Sequence, residues 1–281
     1  MRQARPRYAL GVSDFRKLRE ANAVYVDKSG LIQDIVDTGA EALLIPRPRR
    51  MGKTLNLSML RCFFEKTGED SSPLFAGLAI ERSETARPHF QRYPVVLLSF
   101  KDVKAATWDQ CFAALADVLA GAYRDHGYLL ASGSLEPYEA EAFNALLSGR
   151  ATEVQCWRAL AELCRHLHRH HGERVVLLID EYDTPIHAGY TGGYYDQAVT
   201  FFRNLLSSAL KDNPHLFKGV LTGILRVARE SLFSGLNNID VFSILRPQLA
   251  TAFGFTEPEV RALVEASGRL GALDGIRDFY N

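Results

Sequence analysis

Four short runs in this chain, rich in leucine and β-branched residues, are apolar in continuous stretches rather than at every second residue: "ALLIP" from Ala42, "PVVLLSF" from Pro94, "RVVLLID" from Arg174 and "FKGVLTG" from Phe217. An alternating strand buries one face. A strand that is apolar throughout buries both, the condition of a parallel sheet covered by helices on either side. The intervening stretches carry the helical period. "TLNLSMLRCFFEK" from Thr54 gathers Leu57, Leu60, Cys62, Phe63 and Phe64 largely on one side, and "DQCFAALADVLAGAYRDHG" repeats apolar residues at three and four. "CWRALAELCRHLHRHHG" from Cys156 does the same through Leu160, Leu163 and Leu167, then stops at Gly172. Strands alternating with helices predict an α/β fold with a mainly parallel central sheet and helices on both faces. A chain of 281 residues, 47% hydrophobic, supplies one full core.

Several classes of partner are excluded or disfavoured. Lys+Arg and Asp+Glu stand at 33 each, so the formal net charge is zero and no global field draws in nucleic acid or acidic lipid. No run approaches the roughly 18 apolar residues of a membrane span, and "MRQARPRYALGVSD" lacks an apolar signal region, so a cytoplasmic protein is expected. Cys62, Cys111, Cys156 and Cys164 form no C-x-x-C pair and read as small core side chains. His166, His168, His170 and His171 fall in the last turns of a predicted helix, where cationic and polar groups suit the dipole, and are read as its solvated end. Residues 125–155 read as a surface excursion with a short helix of its own.

Residues 47–54, "RPRRMGKT", match the phosphate-binding pattern G-x-x-x-x-G-K-[ST] except that Arg47 stands at the first glycine. Gly52 lets backbone approach phosphate oxygens, Lys53 reaches the β- and γ-phosphates, and Thr54 offers a hydroxyl to Mg²⁺. An apolar strand enters this loop and an amphipathic helix leaves it, the arrangement that aims helix amides at a phosphate.

"VVLLIDEYD" supplies the acidic counterpart. Asp180 closes an apolar strand, where a P-loop protein holds Mg²⁺, and Glu181 follows as base or orienting acceptor for an attacking water. Asp183 is read as fixing the loop or a basic side chain. "FKGVLTGILRVARES" places Thr222 at a strand end, suited to sensing a γ-phosphate, and Arg226 and Arg229 beyond it, suited to neutralising transition-state charge.

Together "GVSDFRKLREANAVYVDKSGLIQDIV", "LLIPRPRRMGKTLNLSML", "LFAGLAI", "YPVVLLSFKDV", "LLIDEYDTPI" and "LTGILRVARESLFSGLNNIDVFSIL" resemble the prokaryotic AAA-ATPase-like family. The resemblance implies a P-loop NTPase three-layer sandwich, with an extra strand between the two motif strands and a glutamate after the magnesium-binding aspartate. It implies an ATPase domain over 1–245 and, over 246–281, the beginning of a helical lid or winged-helix segment, cut short. Family members often continue into a PD-(D/E)XK nuclease-like domain; no such constellation stands in these residues, so DNA cleavage is not carried over. The "RPRR" ahead of Gly-Lys-Thr resembles a family variant of the loop, with Arg49 or Arg50 pairing with Asp183 or Asp27 or adding positive potential at the phosphates.

The nucleotide-binding set expected on this reading is Arg49, Arg50, Met51, Gly52, Lys53, Thr54 and Leu55, with Tyr25 near the adenine by analogy. Thr54 and Asp180 are the expected metal pair, and Glu181, Lys53, Thr222 and Arg226 the catalytic groups. The expected activity is Mg²⁺-dependent ATP binding with slow hydrolysis coupled to a conformational change. The alternatives are a nucleotide-dependent switch with little turnover and a small-molecule kinase. A protein partner or a second copy is compatible with each, and nucleic acid enters through the family analogy alone.

Overall fold

A computed structural model describes residues 7–224 and 238–280. The four apolar runs are strands: β1 (Ala42–Pro46), β2 (Val95–Ser99), β3 (Val175–Asp180) and β4 (Leu216–Gly223). A fifth, β5 (Ile239–Val241), completes a sheet of order β2-β3-β4-β1-β5 in which every pairing is parallel. The sheet is therefore wholly rather than mainly parallel among the described residues. β4 lies between β1 and β3, as the family resemblance implied.

Both faces are covered. Leu44, Leu177, Ile179 and Leu221 point into one apolar cluster, while Leu43, Ile45, Val176, Leu178 and Val220 point into another. This two-sided burial is why the strands read as continuous apolar runs. The first cluster is roofed by α5 (Trp108–Asp125), α6 (Pro137–Leu147), α7 (Glu153–His171) and α9 (Tyr195–Leu210), the second by α1 (Phe15–Glu20), α2 (Gly30–Asp37), α3 (Lys53–Phe64) and the single turn α4 (Ser72–Phe75). A short α8 (Thr184–Gly192) follows β3, and α10 (Glu257–Ala266) and α11 (Leu273–Tyr280) follow β5.

Two expectations change. Residues 125–155 are more than a surface excursion, because Leu129, Phe143 and Leu146 are buried in the first cluster. The histidines of α7 are not all solvated: His166 is 4% exposed and lies beside the Phe143 ring, while His168 contacts His215 through Nδ1 at 2.9 Å and His171 contacts the Tyr128 hydroxyl at 2.8 Å. α7 ends at Gly172, whose φ of 69° is the left-handed conformation that glycine adopts without strain. All four cysteines are free thiols, three of them buried. Among the described residues no helix is long and apolar enough to cross a membrane.

Candidate functional site

Parallel strands present their carboxyl ends together, and here that edge carries the chemistry. Register sets Asp180 of β3 beside Thr222 of β4, and Thr222 beside Ile45 of β1, from which the chain runs into residues 47–52. The Thr54 hydroxyl donates to Asp180 Oδ2 at 2.5 Å and the Thr222 hydroxyl to Asp180 Oδ1 at 2.6 Å. Asp180 and Thr222 are buried, Thr54 half-buried. Two segments separated by 126 residues thus meet in one carboxylate and one hydroxyl.

Lys53 opens α3 and is buried, its ammonium donating to the carbonyls of Arg47 at 3.1 Å and Pro48 at 3.0 Å. Burial pulls its pKa below the ordinary lysine value, opposed by the negative charges of Asp180, Glu181 and Asp183. Gly52 precedes it at φ 78°, and no side chain caps the helix there, so the first amides of α3 face the loop with no intrahelical acceptor. Arg50 also takes a left-handed φ, 65°, a conformation that costs a residue with a Cβ about 1 kcal/mol. Pro48, Arg49 and Arg50 are exposed. Met51 and Leu55 are half-buried against the second cluster.

The first arginine of "RPRR" behaves differently. Arg47 is 0% exposed, and its guanidinium donates to the carbonyls of Pro46 (2.9 Å), Phe242 (2.6 Å) and Leu249 (2.8 Å) while lying 5.1 Å from the Phe253 ring centroid. Burial lowers its pKa. Arg47 therefore ties the end of β1 to the chain after β5. Arg49 and Arg50 form no ion pair among the described residues, and Asp27 accepts the amides of Ser29 and Ala79 instead. The pairing expected for those two arginines is not made.

Glu181 sits one residue past β3 at φ 51°, half-buried, its carboxylate accepting the Thr184 hydroxyl at 3.2 Å. Asp183 accepts the Ile224 amide at 2.9 Å, which fixes the chain leaving β4. A Cβ on Gly223 would stand 2.7 Å from Asp183 Oδ1 and 2.8 Å from the Tyr182 ring, so only glycine permits this contact. Beside the cluster a cleft of about 1000 Å³ opens between Pro48, Arg49, Lys104, Asp183, Thr184 and His187.

Thr222, expected to sense a γ-phosphate, stands at the carboxyl end of β4 with its hydroxyl donating to Asp180. Tyr25 stands apart from this cluster, in a T-shaped contact with Phe15 and with its hydroxyl on Met59 Sδ at 3.1 Å. Arg226 and Arg229 lie outside the described residues. Sequence reasoning missed the buried roles of Arg47, Asn56 and Lys28, each of which has an acceptor about 200 residues away in the chain. No local spacing could have signalled them.

Among the described residues no group of three or more His, Cys, Asp or Glu side chains is arranged to hold a metal. The donors that are present, a threonine hydroxyl and an aspartate oxygen, are hard oxygens. Mg²⁺ takes few ligands from protein and keeps the rest for water and phosphate, so this pair fits it.

A parallel sheet with a strand inserted between the loop strand and the acidic strand, and a Gly-Lys-Thr helix start facing an aspartate, define a P-loop NTPase-like protein. The family model "Predicted AAA-ATPase" matches residues 9–233, and the chain belongs to that family. It is 31% identical over 286 aligned residues to a protein of Azotobacter chroococcum mcd 1 described as "Uncharacterized protein in vnfD 5'region". That alignment covers 99% of this chain and 48% of the relative, so the chain spans about half the length of the protein it matches. No solved structure matches.

Proposed function

We propose that this chain binds a nucleoside triphosphate, ATP in the first instance, with Mg²⁺ at the 47–54 loop and hydrolyses it slowly. The observation that carries the reading is the meeting of Thr54 and Asp180 at 2.5 Å beside Lys53. Amides at the start of α3 and the Lys53 ammonium would bind the β- and γ-phosphates, with Arg49, Arg50, Met51, Gly52 and Leu55 shaping the loop. Thr54 and Asp180 would hold the metal, which would supply charge neutralisation at the phosphates. Thr222 would keep Asp180 turned toward that position.

Glu181 is the base in this scheme. It accepts a proton from the attacking water as the oxygen bonds to the γ-phosphorus and the bond to the β,γ-bridging oxygen breaks. General-base assistance contributes about 10²–10⁴-fold. Arg226, or an arginine from a second copy, would neutralise the developing charge, an effect worth roughly 10³–10⁵-fold in P-loop enzymes. We assign the ATPase unit to 1–245 and a lid-like segment to 246–281.

The test is ATP binding and turnover with Mg²⁺ for the wild type, Lys53→Ala and Glu181→Gln. Losing a charged hydrogen-bond donor should weaken binding roughly 10–150-fold in the lysine variant. The glutamate variant should bind and turn over at least about 100-fold more slowly. Tight wild-type binding with no turnover would replace hydrolysis by a nucleotide-dependent switch, and absence of binding would reject the reading.

A further inference from the structure

The chain from 249 to 259 is fastened to the phosphate loop on one side and to the segment before β1 on the other. On the loop side Asn56 Nδ2 donates to the Ala252 carbonyl at 2.8 Å and the Gly254 amide donates to the Met51 carbonyl at 3.0 Å. On the other side the Lys28 ammonium donates to the Thr251 carbonyl at 2.7 Å and pairs with Glu259 at 2.7 Å. Glu259 in turn accepts the Thr256 amide in a capping box that starts α10.

Phe255 stands in the middle of this bracket, and its ring is 64% exposed. Its position is fixed from both directions. Phe253, two residues earlier, is buried beneath the Arg47 guanidinium. Gly254 turns the chain at φ 68°, so tightly against the loop that a Cβ there would lie 2.6 Å from Met51 Cε. An aromatic ring is thereby presented to solvent one residue from a backbone bond to the loop itself. Tyr25, on the segment that Lys28 ties to this chain, has its hydroxyl engaged with Met59 and the Lys28 amide, and its ring against Phe15.

We infer that Phe255 is the platform on which the base of the loop-bound nucleotide stacks. The inference rests on the triphosphate reading above and extends it to the base. Phosphates held by the amides of α3 would leave the nucleoside to run out along the flank of the loop, and Phe255 is an exposed ring next to Gly254, whose amide bonds the loop at Met51. A phenyl face offers area and polarisability but no hydrogen bonds, so it accepts any base and favours the larger purines. The predicted ligand class is a purine nucleoside triphosphate, with adenine and guanine poorly discriminated.

The experiment compares ATP, GTP, CTP and inorganic tripolyphosphate, each with Mg²⁺, against the wild type, Phe255→Ala and Phe255→Tyr. Stacking one base is worth about 1–3 kcal/mol, so Phe255→Ala should weaken ATP and GTP roughly 5- to 150-fold. Tripolyphosphate affinity should stay within about twofold, and Phe255→Tyr should retain purine affinity. Equal loss for ATP and tripolyphosphate, or no loss for ATP, would overturn the stacking role while leaving the phosphate site standing. A wild type that binds neither ligand would remove both conclusions together. Because the ring is exposed, unchanged thermal melting of both variants is expected and separates a ligand effect from misfolding.

Discussion

Replacing Arg47 by glycine restores the usual phosphate-loop pattern and should nevertheless unfold this protein more easily. In the structure the guanidinium satisfies three carbonyls at 2.6–2.9 Å, two of them beyond β5, and lies against Phe253. Each hydrogen bond from a charged donor is worth about 1.5–3 kcal/mol. Against that stands the cost of keeping a guanidinium out of water, which Arg47→Gly escapes. Glycine also adds roughly 0.5–1 kcal/mol of backbone entropy to the unfolded chain. The balance for removing one side of a buried charged network is a loss of about 3–5 kcal/mol. At about 2–4 °C per kcal/mol for a chain of this size, the melting temperature should fall by roughly 6–20 °C. Thermal unfolding measures the fall, and hydrogen exchange should show faster opening across residues 242–259. Arg47→Met separates volume from charge, and Arg47→Lys tests geometry, since one ammonium cannot span the three carbonyls. If Arg47→Gly and Arg47→Met both melt within about 2 °C of the wild type, the buried guanidinium contributes nothing net and the reasoning fails.

Arg50→Gly should act in the opposite direction: relief of a left-handed φ of 65° stabilises by about 0.5–1 kcal/mol, readable as a higher urea midpoint. If the exposed Arg50 side chain also contributes to phosphate binding, triphosphate affinity falls in the same variant. Thr222→Val leaves Asp180 Oδ1 without its hydroxyl donor, so we expect a stability loss of about 1–3 kcal/mol and a 10–100-fold rise in the Mg²⁺ needed for nucleotide binding. Glu139 is buried between Arg165 and Arg169, and its hydrogen bonds to Arg169 hold its pKa down to about 2. A depressed carboxylate stabilises above its unfolded value and loses that contribution as pH falls. Wild-type stability should therefore decline between about pH 4.5 and 2, and Glu139→Gln should flatten that decline in acid unfolding curves.

What the sequence disclosed follows from range. β1 to β4 were legible because strands buried on both faces leave a continuous apolar run, and α7 because its period ends at a glycine that caps it. β5 was not: three residues with Asp240 at the centre carry no run, and its place at the sheet edge depends on pairing with β1. At the candidate site, Gly52, Lys53, Thr54 and Asp180 could be nominated from sequence because the chemistry of a phosphate loop fixes residue type and spacing. Their mutual contact was not, since it depends on the register that sets Asp180 beside Thr222. The hydrogen bond of Thr222 to Asp180, and the lack of an ion pair for Arg49 and Arg50 among the described residues, belong to that same tertiary layer. So does the inward turn of His166, whose helical position allows either face.

The three arginines of "RPRR" show how one loop meets two demands. The backbone at position 47 has ordinary duties that need no glycine: its amide donates to the Gly223 carbonyl at 2.9 Å and its carbonyl accepts Lys53. Its φ is not among the positive ones, whereas those of Arg50 and Gly52 are. A glycine at 47 would therefore serve no conformational need here, and the side chain is released for another task. That task lies in the core, where the Arg47 guanidinium holds the Phe242 and Leu249 carbonyls of the chain that follows β5. The face of the loop suited to phosphate keeps Gly52, the amides of α3 and the exposed Arg49 and Arg50. Exposed basic character and buried basic character thus come from neighbouring residues of one motif, separated by whether each guanidinium turns to solvent or into the core.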